Sequence, residues 1–260
     1  MGRNVLVTND DGIASPGLWA LVRAAKPIAD HLYVVAPKEN QSGVGAGITI
    51  RRELQWERIT NPPVEGVEAW AVTGTPGDCV MIALREIVQH WITLIVSGIN
   101  QGANLGNDIL ASGTVGGALQ GHFRGVTSAA FSLLMRPGDE VDWSTAERVA
   151  AMICRAEADG RLPDSVFLNV NIPHVPFEEL SGVLVTRMGR FGYMRLVETS
   201  DTSGVVERVV GHHANPDTPP GTDIWAIANN YVSVSPLQAN LTDHRLIDLL
   251  GEQLNAAFRE

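Results

Sequence analysis

The stretch Asn4-Val5-Leu6-Val7-Thr8-Asn9-Asp10-Asp11-Gly12 constrains this chain more than any other. Five β-forming, mostly apolar residues run straight into Asn-Asp-Asp-Gly. So short and apolar a run reads as a strand buried on both faces, as in a parallel sheet. In an open α/β sheet, chemistry collects just beyond the carboxyl ends of such strands. Two neighbouring carboxylates stand at that place here. Their charges repel, and a hard divalent cation with oxygen ligands is the simplest thing that offsets the repulsion. A solvated turn is the competing reading, because Asp, Asn and Gly make turns for local reasons. These nine residues leave both open.

The chain continues as β-α-β. Pro16 is placed to open a helix carrying Leu18, Leu21, Val22 and Ala25 at helical spacing. Residues 32–36 (LYVVA) form a second strand, parallel to the first through a right-handed crossover. Residues 37–47 (PKENQSGVGAG) leave that strand on the same edge as Asp10, with Ser42 at their centre. They read as a flexible loop, or as one that delivers an oxygen ligand beside the Asp pair. Residues 48–66 look irregular, with Ile48-Thr49-Ile50 a candidate short strand. A strand over 67–73 leads through Gly74-Thr75-Pro76-Gly77-Asp78 into a helix over 79–88.

Residues 92–96 (ITLIV) are a further buried strand, entering a loop over 97–108 rich in Gly and Asn. Glycines there free backbone amides to face a ligand. Ser112-Gly113-Thr114 then opens a helix over 115–123. A helix start with small residues suits an anion, because its first N–H groups lack partners and the dipole favours negative charge. An ordinary N-cap accounts for one hydroxyl there, but not for the run of Gly and Asn. A strand over 127–133, a helix over 141–158 and a strand over 166–172 follow.

From about residue 175 the pattern changes. Residues 183–186 and 205–211, punctuated by glycines, read as β-hairpins outside the main sheet, extended as arms. A lone hairpin is marginal in water, so such arms dock on a partner subunit and bury residues such as Val205, Val206, Val209 and Val210. Residues 222–223 and 231–237 return to the core. Thr242 is expected to cap a last helix with Leu246, Leu249 and Leu250 facing inward. The expected division is a catalytic core over 1–175 and an arm region with its closing helix over 176–260, packed as one functional unit.

Composition sets limits on partners. The net charge is −10, from 19 basic and 29 acidic residues, and no Lys/Arg-rich run exists. A polymeric nucleic acid held on a basic face is therefore excluded. A small phosphorylated substrate is not, since a metal and backbone amides bind phosphate locally. Cys79 and Cys154 sit in apolar surroundings and read as buried thiols rather than a disulfide framework. The chain enters a core strand at once, and no apolar run approaches the roughly 20 residues of a spanning helix. The expectation is a soluble cytoplasmic protein with no membrane partner. Two features mislead. His212 and His213 are adjacent, so on a strand they point to opposite faces. Gly43 to Gly47 echoes a dinucleotide fingerprint, but no amphipathic helix follows it.

Taken in order, several stretches resemble the survival protein E (SurE) family of nucleotide phosphatases. They are Val5 to Gly12, Val34-Val35-Ala36-Pro37 with Gln41-Ser42-Gly43, and Gly74-Thr75-Pro76 with Asp78-Cys79. Val96 to Asn100 with Gly102 to Gly106, Ser112-Gly113-Thr114, and Tyr231 to Leu237 with Leu241-Thr242 complete the set. The resemblance covers nearly the whole chain. It implies an α/β fold with a Rossmann-like three-layer core on a mostly parallel sheet, a smaller C-terminal arm region, and a homodimer or homotetramer built through the arms. It implies a phosphomonoesterase that hydrolyses nucleoside monophosphates, and short polyphosphate as a further substrate. By the same resemblance one divalent ion per subunit is held by Asp10, Asp11, Ser42 and Asn100, and the phosphate is contacted by Asn104, Ser112, Gly113 and Thr114. An all-oxygen shell of this kind favours Mg²⁺ or Mn²⁺ over Zn²⁺. One of the two Asp residues is a candidate general base, neither singled out. The chain departs from the family at Ala111, Gln120 and Asn240, where Tyr, Glu and Asp are frequent. Two rivals stand beside this reading. An aspartyl-phosphate phosphatase uses Asp-x-Asp, and a non-catalytic nucleotide-binding module needs the glycines but hardly the four oxygen ligands together.

Overall fold

A computed structural model of the chain describes residues 2–135, 138, 140–190, 194–197, 207–210 and 218–259. In chain order the first half is β1 (Asn4–Thr8), α1 (Pro16–Ala25), β2 (His31–Pro37), β3 (Trp56–Arg58), β4 (Glu68–Val72), α2 (Pro76–Ile82) and β5 (Leu94–Gln101). Then come α3 (Gly113–His122), β6 (Thr127–Leu133), α4 (Ser144–Ala158), β7 (Phe167–Ile172) and β8 (Gly182–Val185). The C-terminal part holds β9 (Met194–Val197), β10 (Glu207–Val210), α5 (Asp223–Ala228), β11 (Tyr231–Pro236) and α6 (Ile247–Arg259).

A nine-stranded sheet runs in the order β3-β4-β2-β1-β5-β6-β7-β11-β8. Its centre is parallel, from β4 through β7. β1 is buried along its whole length, because β2 flanks it on one side and β5 on the other. Alternation along the strands sorts the core into two layers. Val5, Val7, Val34 and Val96 pack with Leu18 and Leu21 of α1 and Val149 and Cys154 of α4. Leu6, Tyr33, Val35 and Ile95 pack on the opposite face with Cys79 and Val80 of α2. This is the expected α/β fold, three layers on a mostly parallel sheet. From β1 the chain winds outward through β2 and β4, then crosses back to wind the other way through β5, β6 and β7. The sheet therefore has a switch point between β1 and β5, where such folds place ligands.

Several expectations change. Ile48-Thr49-Ile50 is no strand. Its alternation is not one of buried and open faces, since Ile48 and Ile50 are both exposed. Thr49 instead donates its N–H and hydroxyl to the Asp78 carboxylate, at 2.9 and 2.6 Å. β3 lies in the segment read as irregular and pairs antiparallel with β4. Residues 97–101, read as loop, continue β5 beyond a register shift between Ser97 and Asn100. β8 is not in a separate hairpin. It forms the edge of the main sheet, parallel to β11. β9 and β10 do form a separate antiparallel pair; Val205, Val206, His212 and His213 lie outside the described residues.

The C-terminus differs most. Thr222 caps α5, accepting from Trp225 N at 3.3 Å, where no helix was expected. Asp243 rather than Thr242 caps the turn before α6, and α6 buries none of its residues. Leu246, Leu249 and Leu250 are 43%, 50% and 46% exposed rather than inward-facing. Cys79 and Cys154 are buried free thiols, as expected. Among the described residues no helix is long and apolar enough to cross a membrane.

α1 crosses β5 closely at Gly17. A Cβ there would overlap the Ile99 carbonyl oxygen and lie 2.8 Å from the Trp143 ring. Gly17→Ala is therefore expected to destabilise the chain by about 1–3 kcal/mol, the usual range for overpacking. Urea denaturation reads this directly, and an unchanged midpoint would show that α1 can lift off the strand freely.

Candidate active site

The site begins where β1 ends. Asn9 turns the chain by donating Nδ2 to the Gly12 carbonyl at 3.0 Å, and Gly12 takes φ +98°. Asp10 is thereby aimed back under the start of α3 and is only 3% exposed. Thr114 Oγ1 donates to Asp10 Oδ1 at 2.5 Å. Gly113 is glycine for a steric reason, since a Cβ there would sit 2.7 Å from Asp10 Cβ. Burial raises the Asp10 pKa, while the Thr114 hydroxyl and the backbone N–H groups of Thr114 and Gly113 hold it down. The helix start expected to bind an anion thus already faces one, the carboxylate of Asp10.

Asp11 is half-buried beside it. Burial first and the Asp10 charge second push its pKa up to about 6. Two long hydrogen bonds oppose this, from Gln101 N to Oδ2 and from Asn40 Nδ2 to Oδ1, both 3.3 Å. Among the described residues neither carboxylate forms an ion pair with Lys, Arg or His.

The loop after β2 is tied to the same place. Gln41 N donates to the Asp10 carbonyl at 2.7 Å, and Ser42 N donates to Asn40 Oδ1 at 2.9 Å. Gly45 N reaches the Ala111 carbonyl at 3.0 Å, so this loop closes against the approach to α3. Ser42 is exposed there. Asn100 lies at the end of β5, next to β1, and turns its Nδ2 to the Gly102 carbonyl at 2.8 Å. Its Oδ1 remains available. Asp10, Asp11, Asn100, the Ser42 loop and the 112–114 helix start therefore meet at one edge of the sheet. Among the described residues no three His, Cys, Asp or Glu side chains converge. A cation here would draw on two carboxylates and on neutral oxygens such as those of Ser42 and Asn100.

Asn104 has more partners than its sequence context suggested. Its N–H donates to Asn171 Oδ1 at 2.8 Å and its Nδ2 to Ser132 Oγ at 2.8 Å. Its carbonyl accepts from Asn169 and Asn171, at 2.8 and 2.9 Å. Ser112 Oγ accepts from Val115 N at 3.1 Å, which leaves its O–H proton free to donate outward. Asn40, Ser132, Asn169 and Asn171 hold groups at this edge, and sequence reasoning passed over all four. A signal existed for two of them. Asn169 and Asn171 alternate in an otherwise apolar strand, so both point to one buried face and need partners there.

Fold and site together define a doubly wound α/β protein with paired carboxylates at its switch point. The chain belongs to the survival protein SurE family, whose profile matches residues 5–195. It is 38% identical over 242 residues to the 5'-nucleotidase SurE of Dehalococcoides mccartyi strain CBDB1, covering 91% of this chain and 89% of that protein. It is 40% identical over 254 residues to the 5'-nucleotidase SurE of Methylococcus capsulatus, covering 96% and 97%. The crystal structure of the SurE protein from Aquifex aeolicus superposes with a TM-score of 0.81 at 36% identity, covering 96% of this chain and 99% of that one.

Asp11 carries a measurable cost. The folded carboxyl keeps its proton to about pH 6, whereas the ordinary value is 3.8, so its contribution to stability worsens as pH rises across that window. In chelator-treated protein at pH 7, Asp11→Asn is expected to raise the unfolding free energy by about 1–2 kcal/mol, less than the full 1.36 kcal/mol per pKa unit because solvent reaches the group. Denaturant titrations at pH 7 and pH 4.5 check the sign. The gain should shrink at the lower pH, and a variant less stable than wild type at pH 7 would refute it.

Proposed function

We propose that this protein is a divalent-cation-dependent nucleotidase that hydrolyses nucleoside monophosphates to nucleoside and phosphate. The observation that carries it is the pair of buried Asp10 and half-buried Asp11, set at the switch point with, among the described residues, no cationic side chain bound to either. The name of the curated relatives, 5'-nucleotidase SurE, supports the substrate class. Short polyphosphate presents a similar terminal phosphoryl group and belongs in the same substrate panel.

The donors fit Mg²⁺ or Mn²⁺. Asp10 and Asp11 bring charge, while Ser42 and Asn100 bring neutral oxygens, and no soft ligand stands among them. Asn9 Oδ1, buried and without a hydrogen-bond partner among the described residues, is a further acceptor next to the pair in the chain. Bound there, the cation supplies Lewis-acid polarisation of a phosphoryl oxygen.

The chain's own residues do the rest. Thr114 and the first N–H groups of α3 hold the Asp10 carboxylate in one orientation. Ser112 offers its hydroxyl proton to a phosphate oxygen, and Asn104 stands ready-positioned by its four hydrogen bonds. Its side chain can exchange oxygen for nitrogen without losing Ser132, because a hydroxyl both donates and accepts. Turned that way, the NH₂ faces outward as a donor. Of the two carboxylates, Asp11 is the one water reaches, and we assign it the proton of the attacking water.

Phosphate release from a nucleotide panel, with chelator and with Mg²⁺ or Mn²⁺ restored, tests this. Chelation is expected to abolish turnover and the cation to restore it. Asp10→Asn keeps shape and loses charge, and should lower kcat by about 100-fold or more, as removal of a principal electrostatic group does. Full activity in metal-free protein, or no phosphate release from any nucleotide, would overturn the proposal.

The same reading includes a homodimer or homotetramer built through the C-terminal region. The support is α6 and the turn before it, where Leu246, Ile247, Leu249, Leu250, Leu254 and Phe258 are all exposed. An isolated helix of 13 residues is marginal in water, so its apolar side needs a second surface. The two-stranded β9–β10 pair has the same need. Light scattering at low micromolar concentration should show dimers or tetramers. Deleting residues 190–211, or truncating the chain before His244, should reduce that size. A monodisperse wild-type monomer would rule the assembly out.

A further inference from the structure

Asp223, the first residue of α5, is fully buried. Among the described residues its carboxylate meets no cation. It accepts three backbone N–H groups, from Gly106 to Oδ2 at 2.7 Å and from Gly189 and Ile224 to Oδ1 at 2.7 and 2.8 Å. Two of these donors are distant in sequence, by 117 and 34 positions. Gly106 belongs to the loop that runs from Asn104 to Ser112. Gly189 belongs to the segment that leads into β9. A second tie joins the same two stretches, since Asn107 Nδ2 donates to the Arg190 carbonyl at 2.6 Å. Asp223 N in turn donates to the Arg187 carbonyl at 2.9 Å.

The loop is thus pinned on both sides of Asn104-Leu105-Gly106. Asn169 and Asn171 hold Asn104, and Asp223 holds Gly106. Charge-assisted hydrogen bonds are roughly twice as strong as neutral ones, and three of them on one dry carboxylate leave it a single orientation. A close approach confirms how little room remains, because a Cβ on Gly189 would lie 2.5 Å from Ile224 Cδ1.

We propose that Asp223 is a positioning residue for the substrate loop, and that through Gly189 it links the geometry of that loop to the segment entering the β9–β10 pair. The proposal rests on the nucleotidase reading only for the identity of the ligand. A loop that holds the phosphate alike in ground and transition states contributes uniform binding, so its misplacement raises KM and leaves kcat nearly unchanged. A merely structural loss would lower the active fraction, and with it the apparent kcat, at constant KM.

The test uses the full chain with Mg²⁺ or Mn²⁺. Asp223→Asn keeps the shape but offers one acceptor atom instead of two, so an NH₂ is turned against a backbone N–H. KM for the hydrolysed nucleotide is expected to rise about tenfold, the effect of one hydrogen bond to a charged group, with kcat within about twofold. Thr145→Val, which removes an α4 hydroxyl bonded to the Val175 carbonyl beyond β7, should leave KM unchanged. Hydrogen exchange supplies a readout independent of activity. Peptides covering 103–112 and 186–190 should lose protection together, while β1 and β2 keep theirs. Unchanged KM in an active enzyme, or unchanged protection of 103–112, overturns the proposal. If wild type hydrolyses no nucleotide, the nucleotidase reading fails and the exchange result alone decides the link. If Asp223→Asn does not fold, Asn107→Ala, at an exposed position, replaces it, with the same joint loss of protection expected in smaller degree.

Discussion

Two carboxylates side by side, one buried and one half-buried, are the constraint on which the rest of this structure turns. Asp10 and Asp11 follow a strand that is buried along its length and paired on both sides at the centre of the sheet, which fixes where the two carboxylates stand. Desolvation raises both pKa values, and for Asp11 the Asp10 charge raises it further. What opposes this is a set of dipoles rather than countercharges. Thr114 and the first turn of α3 serve Asp10, and Gln101 N and Asn40 serve Asp11. These dipoles come from the start of α3, the end of β5 and the loop after β2, so the pair gathers those segments at one edge.

The same constraint explains the composition of α3. Its ten residues include four glycines, each costing about 1 kcal/mol of helix propensity relative to alanine. All four lie against the sheet or its loops, Gly121 among them, where a Cβ would be 2.5 Å from Ser128 Oγ. Gly113 meets Asp10, Gly116 faces the Gly45 carbonyl, and a Cβ on Gly117 would be 3.0 Å from Ser97 Oγ. Side chains there would push the helix start away from β1 and withdraw its N–H groups from Asp10. Helix propensity is given up for close approach, which is the expected pattern where a local rule yields to a site.

The central strands were legible because burial on both faces leaves an unmistakable apolar run, and residues 127–133 were bounded to the residue. The acidic pair was legible because its place at a strand end follows from topology. Other features depended on what lies opposite, which periodicity does not encode. Ile48-Thr49-Ile50 alternates like a strand, yet Thr49 is spent on Asp78. The leucines of α6 mark an apolar side correctly, but not what covers it. Residues 183–186 looked like part of an arm because β8, the strand they largely form, is half open at a sheet edge, and its partner β11 comes nearly fifty residues later. Asp223 was hidden for a similar reason. Residues 222–223 read only as a return to the core, and only the fold brings Gly106 and Gly189 to Asp223.

The polar groups gathered at this edge share one property. They are amides, hydroxyls and backbone N–H groups, with no Lys, Arg or His hydrogen-bonded to either carboxylate among the described residues. Such groups orient a phosphate but bring no net charge to meet it. A phosphate approaching Asp10 and Asp11 is repelled by both, on a chain whose net charge is already −10. Backbone dipoles offset part of that repulsion, but those of Gly113 and Thr114 already face Asp10. Binding an anion here therefore calls for positive charge from outside the chain, at the place where the two carboxylates would hold it. On the proposed reading, the arrangement that makes the pair costly in the folded protein is the one that would hold a cation at this edge and, through it, a phosphate.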